Sequence, residues 1–215
     1  MKYLILIIAC CMATTSFGQL SSGQTDAYQQ LLEKNVKQLD AAKNQGSFED
    51  LVKKFERLKS NATDQWLPYY YTAYCKIRLG KYNKNQEFLD KAIEDLEAAQ
   101  EIENNSEILV LLARAYMEKI ELNSIMYGPK YTGTVRNLLQ EAVKENEENP
   151  RAYLFYGRFC YYFPAFVGGS KDKAKQLFTK AQGLFEEEFK SNEVAYSSEP
   201  HWGRNLNAWH ITRSF

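Results

Sequence analysis

A chain of 215 residues with 14% aromatic side chains, fifteen of its residues tyrosine, has the means to bury a substantial core in one or two domains and is not a disordered polymer. Its 27 basic and 27 acidic side chains cancel, so no global field draws it to nucleic acid or to anionic lipid.

The N-terminus reads as an export leader over residues 1–18. Lys2 supplies the positive start, and residues 3–11 are an apolar run of nine. That is far short of the ~20 residues that span a bilayer. Small and polar residues follow, with cleavage expected after Gly18 and Ser16 at −3. The alternative is a lipoprotein box, Ile7-Ile8-Ala9-Cys10, acylated at Cys10. Either way the chain is expected outside the cytoplasm, periplasmic or extracellular. The mature chain would start at Gln19, with a short linker over 19–24 and no later membrane-spanning segment.

Helices are expected next at about 25–44, 47–60, 64–79, 83–102, 106–124, 133–147, 150–163, 170–190 and 200–211. Alternating strand patterns are missing. Ser47-Phe48-Glu49-Asp50 reads as a capping box, and Asn149-Pro150 as an N-cap followed by the first helical residue. The stretch "ELNSIMYGPKYTGT" reads as a long turn that could help enclose a pocket, because Gly128, Pro129 and Gly133 break helices. "FPAFVGGSKDK" carries two glycines before a Lys-rich helix, as a phosphate loop would. Pro164 demotes any strand before them, and Ser170-Lys171 stand in the wrong order, so a turn capped by Ser170 is the better account. Cys75 and Cys160 fall in separate helices and are expected to be buried and unpaired. The tail, 191–215, carries Trp202, Leu206 and Trp209 at i, i+4, i+7, the stripe of a helix that caps the last hairpin or, in the alternative, buries its tryptophans against a partner.

No catalytic constellation emerges. His201 and His210 are nine apart, no cysteine pair has zinc spacing, and no nucleophile elbow is present. The run Glu186-Glu187-Glu188 is a solvated face. An enzyme is not expected, and neither a metal nor a cofactor is implied.

Three positions recur in the second helix of each pair: Leu51/Phe55/Leu58, Ala92/Leu96/Ala99, Val135/Leu139/Ala142 and Ala174/Phe178/Ala181, spaced by 41, 43 and 39 residues. A period near 40 built of helix pairs marks a solenoid. With Tyr153, Tyr156-Gly157 and Cys160 on the preceding helix, and Leu109, Leu112-Ala113 and Tyr116 one repeat earlier, the chain resembles the tetratricopeptide repeat (TPR) family over residues 25–190. Tyr71 departs from the pattern where a small residue is wanted. The resemblance implies an all-α, TPR-like helical-hairpin solenoid of about four hairpins with a C-terminal capping helix.

It also implies a concave groove lined by first-helix positions. Here these are Thr72, Cys75 and Lys76, then Arg114, Met117 and Glu118, then Arg158, Tyr161 and Tyr162. Arg114 and Arg158 occupy equivalent sites and could contact carboxylates of an extended peptide, or pair with acids such as Glu118. Val110 and Leu154 stand where one family subtype clamps a peptide terminus, so that clamp is not expected. The function implied is a non-catalytic exported scaffold for a protein or peptide partner. The alternative is a small-ligand-binding accessory protein of an envelope transport system.

Overall fold

In a computed structural model the described residues are 22–192 and 198–214, so the leader expected over 1–18, with Cys10, lies outside them. Nine α-helices and no strand occur among the described residues. They are α1 (Ser22–Ala41), α2 (Gln45–Asn61), α3 (Trp66–Asn83), α4 (Gln86–Ile102), α5 (Ser106–Leu122), α6 (Ser124–Glu145), α7 (Pro150–Tyr162), α8 (Lys171–Asn192) and α9 (Arg204–Ser214), with a 3-10 turn at Ala165–Val167.

Asparagine begins five of these helices, because its side-chain oxygen satisfies an orphan amide of the first turn. Asn44, Asn85, Asn105, Asn123 and Asn149 accept from the amides of Ser47, Glu87, Ile108, Met126 and Arg151 at 2.9–3.1 Å. The cap of α2 is therefore Asn44 rather than Ser47, which sits one turn inside and donates its own hydroxyl to Asn44. Pro150 opens α7 as expected.

Consecutive helices pair as α1/α2, α3/α4, α5/α6 and α7/α8, and the first helices of the later pairs, α3, α5 and α7, touch in turn. All four recurring triplets are buried at these seams. Gly157 is small because a Cβ there would come within 2.7 Å of the Phe178 ring. Tyr71 is tolerated because its ring stacks on Phe55 at 5.2 Å. Cys75 and Cys160 are buried free thiols.

The turn after α7 is as tight as the glycine pair suggests. Gly168 takes φ 106°, and a Cβ on Gly169 would lie 1.7 Å from the Phe163 carbonyl. Ser170 accepts from the Lys173 amide at 3.3 Å. The main departure from expectation is α6, which starts at Ser124 and runs helically through Gly128, Pro129 and Gly133.

The tail crosses the face made by α3, α5 and α7. Trp202 lies between Tyr74 and Phe155, with ring centroids at 5.3 and 5.7 Å, and its indole N–H donates to Tyr70 Oη at 2.8 Å. The Tyr71 hydroxyl donates to the Ser198 carbonyl at 2.6 Å, and His201 meets Asp40 of α1 at 3.0 Å. α9 then covers the last pair, with Asn207 and His210 as its buried side chains.

Candidate functional site

The early part of α6 is fixed to the repeats by one face and leaves another open. Tyr127 donates to Gln86 of α4, Lys119 pairs with Asp90, and Tyr131 packs on Tyr116 with centroids 4.7 Å apart. The Lys119 ammonium lies over the Tyr127 and Tyr131 rings at 5.0 and 5.2 Å. Gly128, Pro129, Thr132, Gly133 and Arg136 share the other face, at i, i+1, i+4, i+5 and i+8. They wall a cleft of about 1100 Å³.

Met117, Glu118, Ile120 and Glu121 of α5 form its floor, with Lys81 of α3 at one end. Arg158 and Tyr162 of α7 and the segment Phe163, Pro164, Phe166 and Val167 close the far side. Phe166 is 88% exposed and Tyr162 53% exposed, although both are large and apolar. A Cβ placed on Gly128 or Gly133 would meet nothing within 4 Å, so no packing neighbour requires a glycine at either site. Thr132 turns its hydroxyl back to the Gly128 carbonyl at 2.7 Å, so that hydroxyl is not left as an unpaired donor.

Three cations and two carboxylates line this volume. Lys81 takes both acids, reaching Glu118 at 3.0 Å and Glu121 at 3.3 Å. Burial would raise the Glu118 carboxyl, but Arg114, Lys81 and Arg158 outweigh it and hold Glu118 below its ordinary value. Arg158 makes no ion pair or hydrogen bond among the described residues. Its guanidinium lies 4.9 Å over the Phe155 ring, and its Nε is buried without a partner. Burial lowers the affinity of Arg158 for its proton, against the pull of Glu118. Arg136 is exposed at the cleft wall.

Of the residues singled out from the sequence, Met117, Glu118, Arg158 and Tyr162 meet at this cleft. Arg114 faces the tail, its guanidinium over the rings of Tyr74, Trp202 and Phe155 at 4.9, 5.1 and 5.8 Å, beside a separate cavity of about 350 Å³. Lys76 is held by Glu56 at 2.8 Å and Asp95 at 2.7 Å. Tyr161 is half-buried and packs edge-on against Tyr162. The stretch with Gly128 and Gly133 does border a pocket, as its sequence suggests, but as a helix rather than a turn. Arg136 and Phe166 carry no local signal that points to the cleft.

No described helix is long and apolar enough to cross a membrane, and no described cluster of His, Cys, Asp and Glu could hold a metal. No family model matches the chain, and no curated protein matches it. Among solved structures it is similar to the HusA haemophore from Porphyromonas gingivalis, with 26% identity, a TM-score of 0.74, and coverage of 90% of this chain and 94% of that one. It is also similar to a thermophilic TPR protein from Thermus thermophilus, with 17% identity, a TM-score of 0.57, and coverage of 79% and 85%. The fold is thus an all-α, TPR-like solenoid of helical hairpins.

Proposed function

We propose that this chain is an exported, non-catalytic carrier that holds a tetrapyrrole of the haem class in the cleft between α5, α6 and α7. The observation that carries the reading is the shape and chemistry of that cleft. A volume of about 1100 Å³ is large for a small-molecule site, which more often spans ~300–1,000 Å³. Its α6 wall is bare backbone at Gly128 and Gly133, against which a flat ring can lie closely. Met117, Tyr162 and Phe166 supply soft and aromatic surface.

The similarity to a haemophore over nearly the whole of both chains supports the same class of ligand. The lining contains no histidine or cysteine, and Met117 and Tyr162 are its side chains of the kinds that can ligate a haem iron. A peptide partner in the concave groove has less support, because Trp202 occupies that face at Arg114.

The test is titration of the purified protein with haemin, followed by the Soret band and tryptophan quenching. Saturable binding at one ligand per chain is expected. Gly133→Trp, which fills the open wall, should weaken binding at least tenfold while leaving the helical circular dichroism intact. Binding unchanged in Gly133→Trp, or absent from the wild type, overturns the reading.

A further inference from the structure

The cleft carries more positive charge than its own acids use. Lys81 already holds Glu118 and Glu121, and neither Arg136 nor Arg158 has an ion pair among the described residues. Arg158 is the more telling of the two. A guanidinium presents five donors in a rigid fork, and burying one without acceptors is costly. The Phe155 ring beneath it compensates part of the charge but accepts no hydrogen bond along the fork. Its buried Nε is left without an acceptor, and the side chain borders the cleft. Glu118 is not close enough to pair with it, and Lys81 keeps that carboxylate at 3.0 Å.

We infer that Arg158 is the acid-reading group of the cleft: it takes a ligand carboxylate in a two-point hydrogen bond, with Arg136 at the wall for a second. The ligand is therefore a flat apolar ring that carries carboxylate side arms, and its acid edge points toward α7. This rests on the carrier reading above and adds to it the ligand's charge and orientation. Charge-assisted, bidentate pairing in a site partly withdrawn from water is the strong form of this contact. The arrangement implies selectivity, because an uncharged ring of the same shape would cover the half-buried guanidinium without giving it an acceptor.

The experiment compares protoporphyrin IX with its dimethyl ester in one detergent-containing buffer, by fluorescence quenching, on the wild type, Arg158→Gln, Arg158→Lys and Arg136→Gln. The wild type should bind the diacid at least tenfold more tightly than the diester. Arg158→Gln should remove most of that preference by weakening the diacid about tenfold and the diester less than threefold. Arg158→Lys should restore part of it, and Arg136→Gln should remove a smaller share.

Equal affinity of the wild type for diacid and diester overturns the assignment without need of any variant, so a poorly folded Arg158→Gln does not shield it. An equal loss for both ligands in Arg158→Gln marks the arginine as structural only and also overturns it. In both cases the cleft reading survives. A wild type that binds neither compound overturns both.

Discussion

His210 lies flat on the Phe178 ring, with centroids 4.7 Å apart and planes at 3°. Burial first, and then the Arg158 charge, push its pKa down to about 4. In the unfolded chain the same imidazole titrates near 6.5. The native state therefore binds fewer protons between those values, and the stability tied to neutral His210 is complete above pH 6.5 and lost as pH falls toward 4. His201 behaves in the opposite sense. Its hydrogen bond to Asp40 raises its pKa despite burial, so its contribution is present below 6.5 and lost as pH rises through the folded value. Two-dimensional NMR titration should place the two histidines on opposite sides of 6.5. Thermal melts at pH 7 and pH 5 should show His210→Phe losing less stability on acidification than the wild type. A His210→Phe protein that follows the wild type at every pH would contradict this.

α6 is the element where local preference and tertiary structure disagree most. Glycine costs about 1 kcal/mol in a helix interior relative to alanine, and proline about 3. Burial of Tyr127, its bond to Gln86 and the Tyr116–Tyr131 contact offset that cost on the opposite face. Replacing both Gly128 and Gly133 with alanine should therefore stabilise the protein by up to about 1 kcal/mol per site. It should also weaken haemin binding several-fold, because two methyl groups enter the space a flat ring would use. Denaturant melts and Soret titration on one variant check both signs together.

The same element shows how far a single sequence carries. The triplet Val135/Leu139/Ala142 marked the repeating part of α6 because it is buried with period 3.6. The eight residues 125–132 between the expected helices looked like turn, since their helical state depends on α4 and α5, which no local pattern encodes. The register of the repeats put Met117, Glu118, Arg158 and Tyr162 on one surface. Arg136 joins them only through the path of α6, and Phe166 only through the fold of the α7–α8 connection. The tail is a similar case. Its sequence stripe reads Trp202, Leu206, Trp209, yet Trp202 precedes α9, Trp209 is 44% exposed and Asn207 is buried, where it donates to the Phe178 carbonyl at 3.1 Å.

At the scale of the whole molecule, the repeats form two apolar cores, and Tyr116, Leu138 and Trp202 pack against both. A plain solenoid is held by nearest-neighbour seams and can come apart one repeat at a time. The tail opposes that by joining α1, α3 and α7 through Asp40, Tyr70 and Phe155. Trp202 is partly buried, so Trp202→Ala should cost about 3 kcal/mol, the lower end of the range for removing a large core aromatic. It should also split a single urea transition into two, with the N-terminal hairpins melting first. One sharp transition in the variant would show that the seams alone couple the repeats.

The bond from Trp202 to Tyr70 joins positions 132 apart in the chain, whereas partners within each hairpin are local. Local pairs form quickly and distant ones slowly, because closing a long loop must precede its reward. Refolding should therefore show a rapid gain of helix and then a slower phase in which the indole docks. During the interval between them the inner face stands open, and any chaperone or competing segment that reaches it first would delay maturation without touching a single repeat.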